Sequence, residues 1–171
     1  MWILAVILAV WAGWVDWRSR RIPNWLTVSG LLVGLVTNGV LGGWPSAKAA
    51  LQGAGLALVL LLPLVLLRGL GGGDWKLMGA LGAMLGWQQF LRVLLVSVFI
   101  AGILALGQMV RHKRVGTTLA NLWELVRGFL VFGLKPHPVF SLDNPSSATL
   151  PFGVAAAFAT LLCYGAAAIH H

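Results

Sequence analysis

The chain has 171 residues, of which 59% are hydrophobic and 9% charged, far below the roughly 25% charged residues of an ordinary soluble domain. That composition excludes a soluble globular protein, and its net charge of +8 does not point to nucleic acid, because the cations form short clusters beside apolar runs instead of covering a polar surface. A single cysteine, Cys163, excludes an intrachain disulfide and a cysteine-based zinc site.

At about 20 apolar residues per span, the chain is predicted to be one all-α polytopic membrane domain over residues 1–171, with about six transmembrane helices. The first covers residues 2–15, with Trp2, Trp11, Trp14 and Trp17 as interface anchors. No basic residue precedes it, so it reads as a retained span and not as a signal peptide. A polar stretch from Asp16 follows. Pro23 suits a helix start, where its missing N–H is unpaired anyway, and a second helix is expected over 24–41. Gly42-Gly43-Trp44-Pro45-Ser46 reads as a tight turn.

A third helix is expected over 48–67 and is broken by glycines 69–73, whose backbone freedom opposes helix propagation. A fourth, 74–87, carries Gly79/Ala83 and Gly82/Gly86 at the spacing that lets neighbouring backbones approach. The fifth covers 91–110. Between it and the last helix, 150–168, lies a segment over 111–149 in which Leu119, Leu122, Trp123, Val126, Phe129 and Leu130 recur at helical spacing, so a cytoplasmic amphipathic helix is expected there. His170 and His171, at the chain end, are excluded from chemistry.

Six spans put both termini on one side. The other side holds Arg18, Arg20, Arg21, Arg68, Lys76, Arg111, Lys113, Arg114, Arg127 and Lys135, against Lys48 and Arg92. This imbalance predicts termini outside and the basic loops in the cytoplasm.

Asp16 and Asp74 then both fall at the cytoplasmic boundary. They are two of only four acidic residues, and a charge at membrane depth is costly enough to mark a functional site. Two carboxylates at one depth can divide the work of peptide hydrolysis: one takes a proton from water while the other, protonated, polarises the scissile carbonyl. Helix dipoles predict that Asp74, near a helix N-terminus, is the ionised partner and that Asp16, near a C-terminus, holds the proton. The glycines before Asp74, Gly71 and Gly73 among them, are expected to leave room for the main chain of an extended peptide. A phosphate cradle is excluded, since no Gly-Lys-Ser/Thr follows. Asn24 is read as a cap or brace for the Asp16 loop, and Lys76 as an interfacial lysine that could steady substrate. His112 and His137 lack partners at ligand spacing, so no metal or other cofactor is expected.

Asp16-Trp17-Arg18-Ser19-Arg20-Arg21-Ile22-Pro23-Asn24 resembles the first aspartate motif of the bacterial type IV prepilin peptidases. Gly71-Gly72-Gly73-Asp74-Trp75-Lys76-Leu77 is similar to their second, Gly-x-Gly-Asp-x-Lys-Leu, and Leu150-Pro151-Phe152-Gly153-Val154-Ala155 matches the opening of their last helix. The resemblance implies an intramembrane aspartic endopeptidase of the bacterial inner membrane, with Asp16 and Asp74 as its catalytic pair. Its substrate would be a prepilin or pseudopilin, cut after a glycine to remove a short basic leader at the cytoplasmic face. Paired Cys-x-x-Cys motifs of the longer bifunctional members are lacking, so the compact peptidase-only branch is expected, without N-methyltransferase activity. The competing reading is a noncatalytic assembly or transport subunit that uses the acids for ion pairing or proton relay. Against it, no internal repeat is visible and both acids lie at a boundary, not mid-span.

Overall fold

The computed structural model describes residues 1–66, 70–111 and 152–169, and everything described as regular in it is helix. The expected amphipathic helix within 111–149, with Glu124, Asp143, His112 and His137, lies outside the described residues, as do Arg68, Gly69, His170 and His171. Among the described residues four helices follow one another: α1 Trp2–Ser19, α2 Asn24–Leu66, α3 Gly72–Arg111 and α4 Phe152–Ile169. All four are long and apolar enough to cross a membrane.

The sequence suggests about six helices because 42–46 reads as a tight turn and separate helices are expected over 74–87 and 91–110. Helical hydrogen bonding instead resumes at once on either side of a single residue in each place. Gly43 (φ 62°, ψ −164°) interrupts α2 and Gly86 (φ 72°, ψ 168°) interrupts α3. Both lie in a backbone region that is accessible essentially only to glycine. Pro45, two residues past the first break, falls in the opening turn of the second arm, where its absent N–H costs little. A straight helix of 43 residues would run about 65 Å, roughly twice the hydrocarbon thickness.

The contacts show that α2 turns back on itself. In its first arm, Gly30 faces Ala80 and Gly34 faces Met84, so this arm runs alongside residues 72–86 in the same direction. In its second arm the order is reversed: Ala49 meets Gly86, Gly53 meets Gly82, and Leu58 meets Gly79. The opening arm of α3 is thus clasped by both arms of α2. A side chain on Gly53 or Gly82 would overlap the backbone of the other, so the small residues expected on α3 do mediate close approach, and Gly53 is their counterpart.

Two further elements close the bundle. α1 packs antiparallel on α4, with Gly13 against Ala157 at one end and Trp2 against Tyr164 at the other. Small side chains line these two helices: Ala5, Ala9 and Ala12 of α1 and Ala155, Ala156 and Ala159 of α4 are all fully buried. The largest buried side chains, Phe90, Leu77, Met78 and Leu81, belong to α3. Outward-facing Leu32, Val40, Val59, Phe99 and Ile103 stand exposed, a surface that water would not tolerate and acyl chains would.

Candidate active site

α1 is longer than its apolar run: it continues through Trp17, Arg18 and Ser19 before Arg20, in the left-handed conformation (φ 54°), donates its N–H to the Asp16 carbonyl at 2.8 Å. Asp16 is therefore in the last turn of a helix, not at the start of a loop, and only 6% of its surface is exposed. The helix that carries Asp74 also begins earlier than expected. Gly72 and Gly73 belong to the first turn of α3, and the Trp75 N–H reaches back to the Gly71 carbonyl at 3.1 Å. Asp74 thus stands in that first turn, and part of the glycine run is helix.

Both carboxylates occupy one end of the bundle. Asp16 lies close enough to Asp74 for its charge to act on it, and Arg20 acts likewise on Asp16. The Asp16 Oδ2 accepts the Gly153 N–H at 2.9 Å, in a buried contact between α1 and the opening of α4. Asp74 Oδ1 is buried and has no hydrogen-bond partner among the described residues.

The neighbours of Asp74 are tied to both arms of α2. The Trp75 indole N–H donates to the Leu58 carbonyl at 2.8 Å, and Lys76 Nζ donates to Asn24 Oδ1 at 2.9 Å. Asn24 is thus a brace, though to Lys76 on α3 instead of to the loop after Asp16. Pro23 immediately precedes α2 and gives its carbonyl to the Leu26 N–H at 3.1 Å. The glycines divide their expected task. A Cβ on Gly71 would lie 3.0 Å from Asp74 Oδ2, and one on Gly73 would lie 3.1 Å from the Ile22 Cβ, so these two admit protein neighbours. Gly72 faces open space.

Sequence reasoning missed the contribution of Gly153. Its motif was visible as the opening of the last helix, but nothing in one dimension says that this opening meets a residue 137 positions earlier. Among the described residues, no group of three or more His, Cys, Asp or Glu side chains is arranged to hold a metal ion.

Charge is also sorted along the bundle. Arg20 and Lys76 stand at the aspartate end, with Arg18 and Arg21 beside Arg20 in the chain. Lys48, next to the Ala49 that meets Gly86, and Arg92, which acts on Cys163, stand at the opposite end.

The model of the type IV leader peptidase family matches residues 3–106, which include both aspartates. The chain belongs to this family. Relatives include the prepilin leader peptidase/N-methyltransferase of Aeromonas hydrophila, 36% identical over 115 residues that make up 61% of this chain and 39% of that protein. The protein of the same name from Escherichia coli (strain K12) is 30% identical over 126 residues, 70% of this chain and 56% of its own. That of Xanthomonas campestris pv. campestris is 32% identical over 133 residues, 74% and 40%. The chain thus spans about two fifths of the length of the Aeromonas relative. No solved structure matches it significantly. For this leader peptidase family member, family and geometry meet at one place: the matched region supplies the two carboxylates that the bundle gathers at one end.

Proposed function

We propose that the protein is an intramembrane aspartic endopeptidase that removes the short basic leader of type IV prepilins or pseudopilins, cutting after a glycine at the cytoplasmic face of the inner membrane. The observation that carries this reading is the convergence of Asp16 and Asp74, from separate helices, at one end of an apolar bundle within electrostatic reach of each other. One carboxylate accepts a proton from water as its oxygen attacks the scissile carbonyl carbon. The other, protonated, donates a hydrogen bond to the carbonyl oxygen, and the resulting tetrahedral intermediate collapses as the C–N bond breaks and the leaving amine takes the proton that the first carboxylate had accepted from water.

Orientation follows from charge. The excess of arginine and lysine at the aspartate end supports its placement in the cytoplasm, with the other end outside. The breaks at Gly43 and Gly86 divide the two long helices into arms, which supports six crossings from four helices. The bilayer is therefore the solvent of most of the surface, and a pilin-type substrate would present its cleavage site where its own apolar helix meets the headgroups.

The test is cleavage of a prepilin-like peptide by the purified protein in detergent, with the products read by mass. Cleavage after a glycine is expected, and Asp16→Asn and Asp74→Asn should each lower turnover by at least about 100-fold. Full activity in either variant refutes the pair and returns the acids to an ion-pairing or proton-relay role in a noncatalytic membrane subunit.

A further inference from the structure

We propose that Gly153 is a positioning residue of this site: its backbone N–H holds Asp16 as the anionic, water-activating partner, which leaves Asp74 to carry the shared proton. The inference rests on the peptidase reading above and deepens it, because it assigns the two roles. It also reverses the division that helix dipoles alone suggest.

Three observations carry it. First, the Gly153 N–H donates to Asp16 Oδ2 at 2.9 Å in a buried contact. An amide hydrogen bond to a carboxylate favours its charged form and is stronger than a neutral one. Second, Asp74 receives no such help. Its Oδ1 is buried without a partner among the described residues, the like charge of Asp16 acts on it, and Lys76 is turned to Asn24. A buried oxygen without a donor is costly as an anion, while a protonated carboxyl can aim its O–H at a substrate carbonyl. The helix dipole at Asp74 contributes about 0.3–1 kcal/mol at an exposed helix end, a smaller term than direct donors to a buried partner. Third, the contact has a steric requirement. A Cβ at position 153 would lie 3.0 Å from both Cβ and Oδ2 of Asp16 and 3.2 Å from its Cγ. An alanine there would require the Asp16 carboxylate to give by a few tenths of an ångström. Gly13, whose own Cβ would sit 2.9 Å from that of Ala157, closes the same seam from the α1 side.

The position lies outside residues 3–106, the region that the family model matches, so the assignment comes from the tertiary contact. The chemistry balances as in the reaction above: the Asp16 carboxylate gains the proton lost by water, and the Asp74 carboxyl hydrogen-bonds the carbonyl oxygen.

Two measurements on the full chain in detergent test the proposal. Infrared difference spectra at neutral pH should show a protonated-carboxyl band in the unsubstituted protein and no such band in Asp74→Asn. This readout does not depend on turnover, so it separates a wrong role assignment from a wrong reaction. In parallel, Gly153→Ala should lower kcat roughly 10- to 100-fold with KM within about twofold, while Gly55→Ala, which faces open space, should leave both unchanged. If Gly153→Ala does not fold, the infrared comparison alone decides. A band that survives in Asp74→Asn and vanishes in Asp16→Asn overturns the proposal, as does an unchanged kcat in folded Gly153→Ala.

Discussion

Asn38 offers the sharpest test of how the bundle is held together. Its side-chain amide lies on the first arm of α2 and donates to the Ala83 carbonyl at 2.9 Å, to Gly34 at 3.0 Å and to Met84 at 3.2 Å. Ala83 and Met84 sit just before the break at Gly86, where helix carbonyls lose their partners four residues ahead. In an apolar surrounding no water replaces those partners. Asn38→Leu removes the N–H donors of all three contacts, two of which cross to α3, while it keeps most of the side-chain volume. Each carbonyl left unsatisfied costs about 1–3 kcal/mol, but interhelical hydrogen bonds in membrane proteins average nearer 0.6 kcal/mol because the unfolded chain also finds partners. The expected loss is therefore about 1–3 kcal/mol, which for a chain of this size lowers Tm by roughly 3–10 °C. Thermal unfolding in detergent, followed by the fluorescence of the nine tryptophans, measures it. Thr37→Val is the control, since Thr37 bonds only carbonyls of its own helix. If Asn38→Leu melts with the unsubstituted protein, Asn38 does not cap the break, and the account of how α3 is interrupted fails.

The other predictions concern the same frame. Gly86→Ala, at φ 72°, should destabilise by about 1–3 kcal/mol, whereas Gly102→Ala, in open space on the same helix, should not; paired thermal melts decide. Gly53→Val should be more damaging than either, because its side chain would overlap the Gly82 carbonyl, and most of the protein should be lost from the folded fraction in detergent extracts. Trp75→Phe keeps the packing but removes the indole N–H from the Leu58 carbonyl. A loss of about 1 kcal/mol with a fall in kcat would show that this tether steadies Asp74, and wild-type kcat would show that it does not. Lys76→Met should lower activity only about two- to fivefold, because the lysine braces Asn24 across the surface instead of meeting Asp74; a drop as large as that of Asp74→Asn would place its charge in the reaction itself.

Composition and motif were enough to establish membrane residence, helical class, family and the two acids worth testing. Those properties are local: apolar runs are set by the solvent that surrounds them, and Asp16 and Asp74 each stand in a short string of residues whose pattern can be read without knowing what it touches. The helix boundaries were less legible. Gly42-Gly43-Trp44-Pro45-Ser46 looks like a loop in sequence, yet Gly43 interrupts α2 as a single residue, as Gly86 does α3, and Asn38 meets the Ala83 and Met84 carbonyls ahead of Gly86. What only the tertiary structure decided is how the acids are surrounded. The end of α1 touches the start of α4 across 137 positions, which places a backbone amide on Asp16 Oδ2, while Asp74 Oδ1 is buried without a hydrogen-bond partner among the described residues. Hydrogen bonds and desolvation depend on which atoms lie within about 3 Å, and that distance is a property of packing, not of order along the chain.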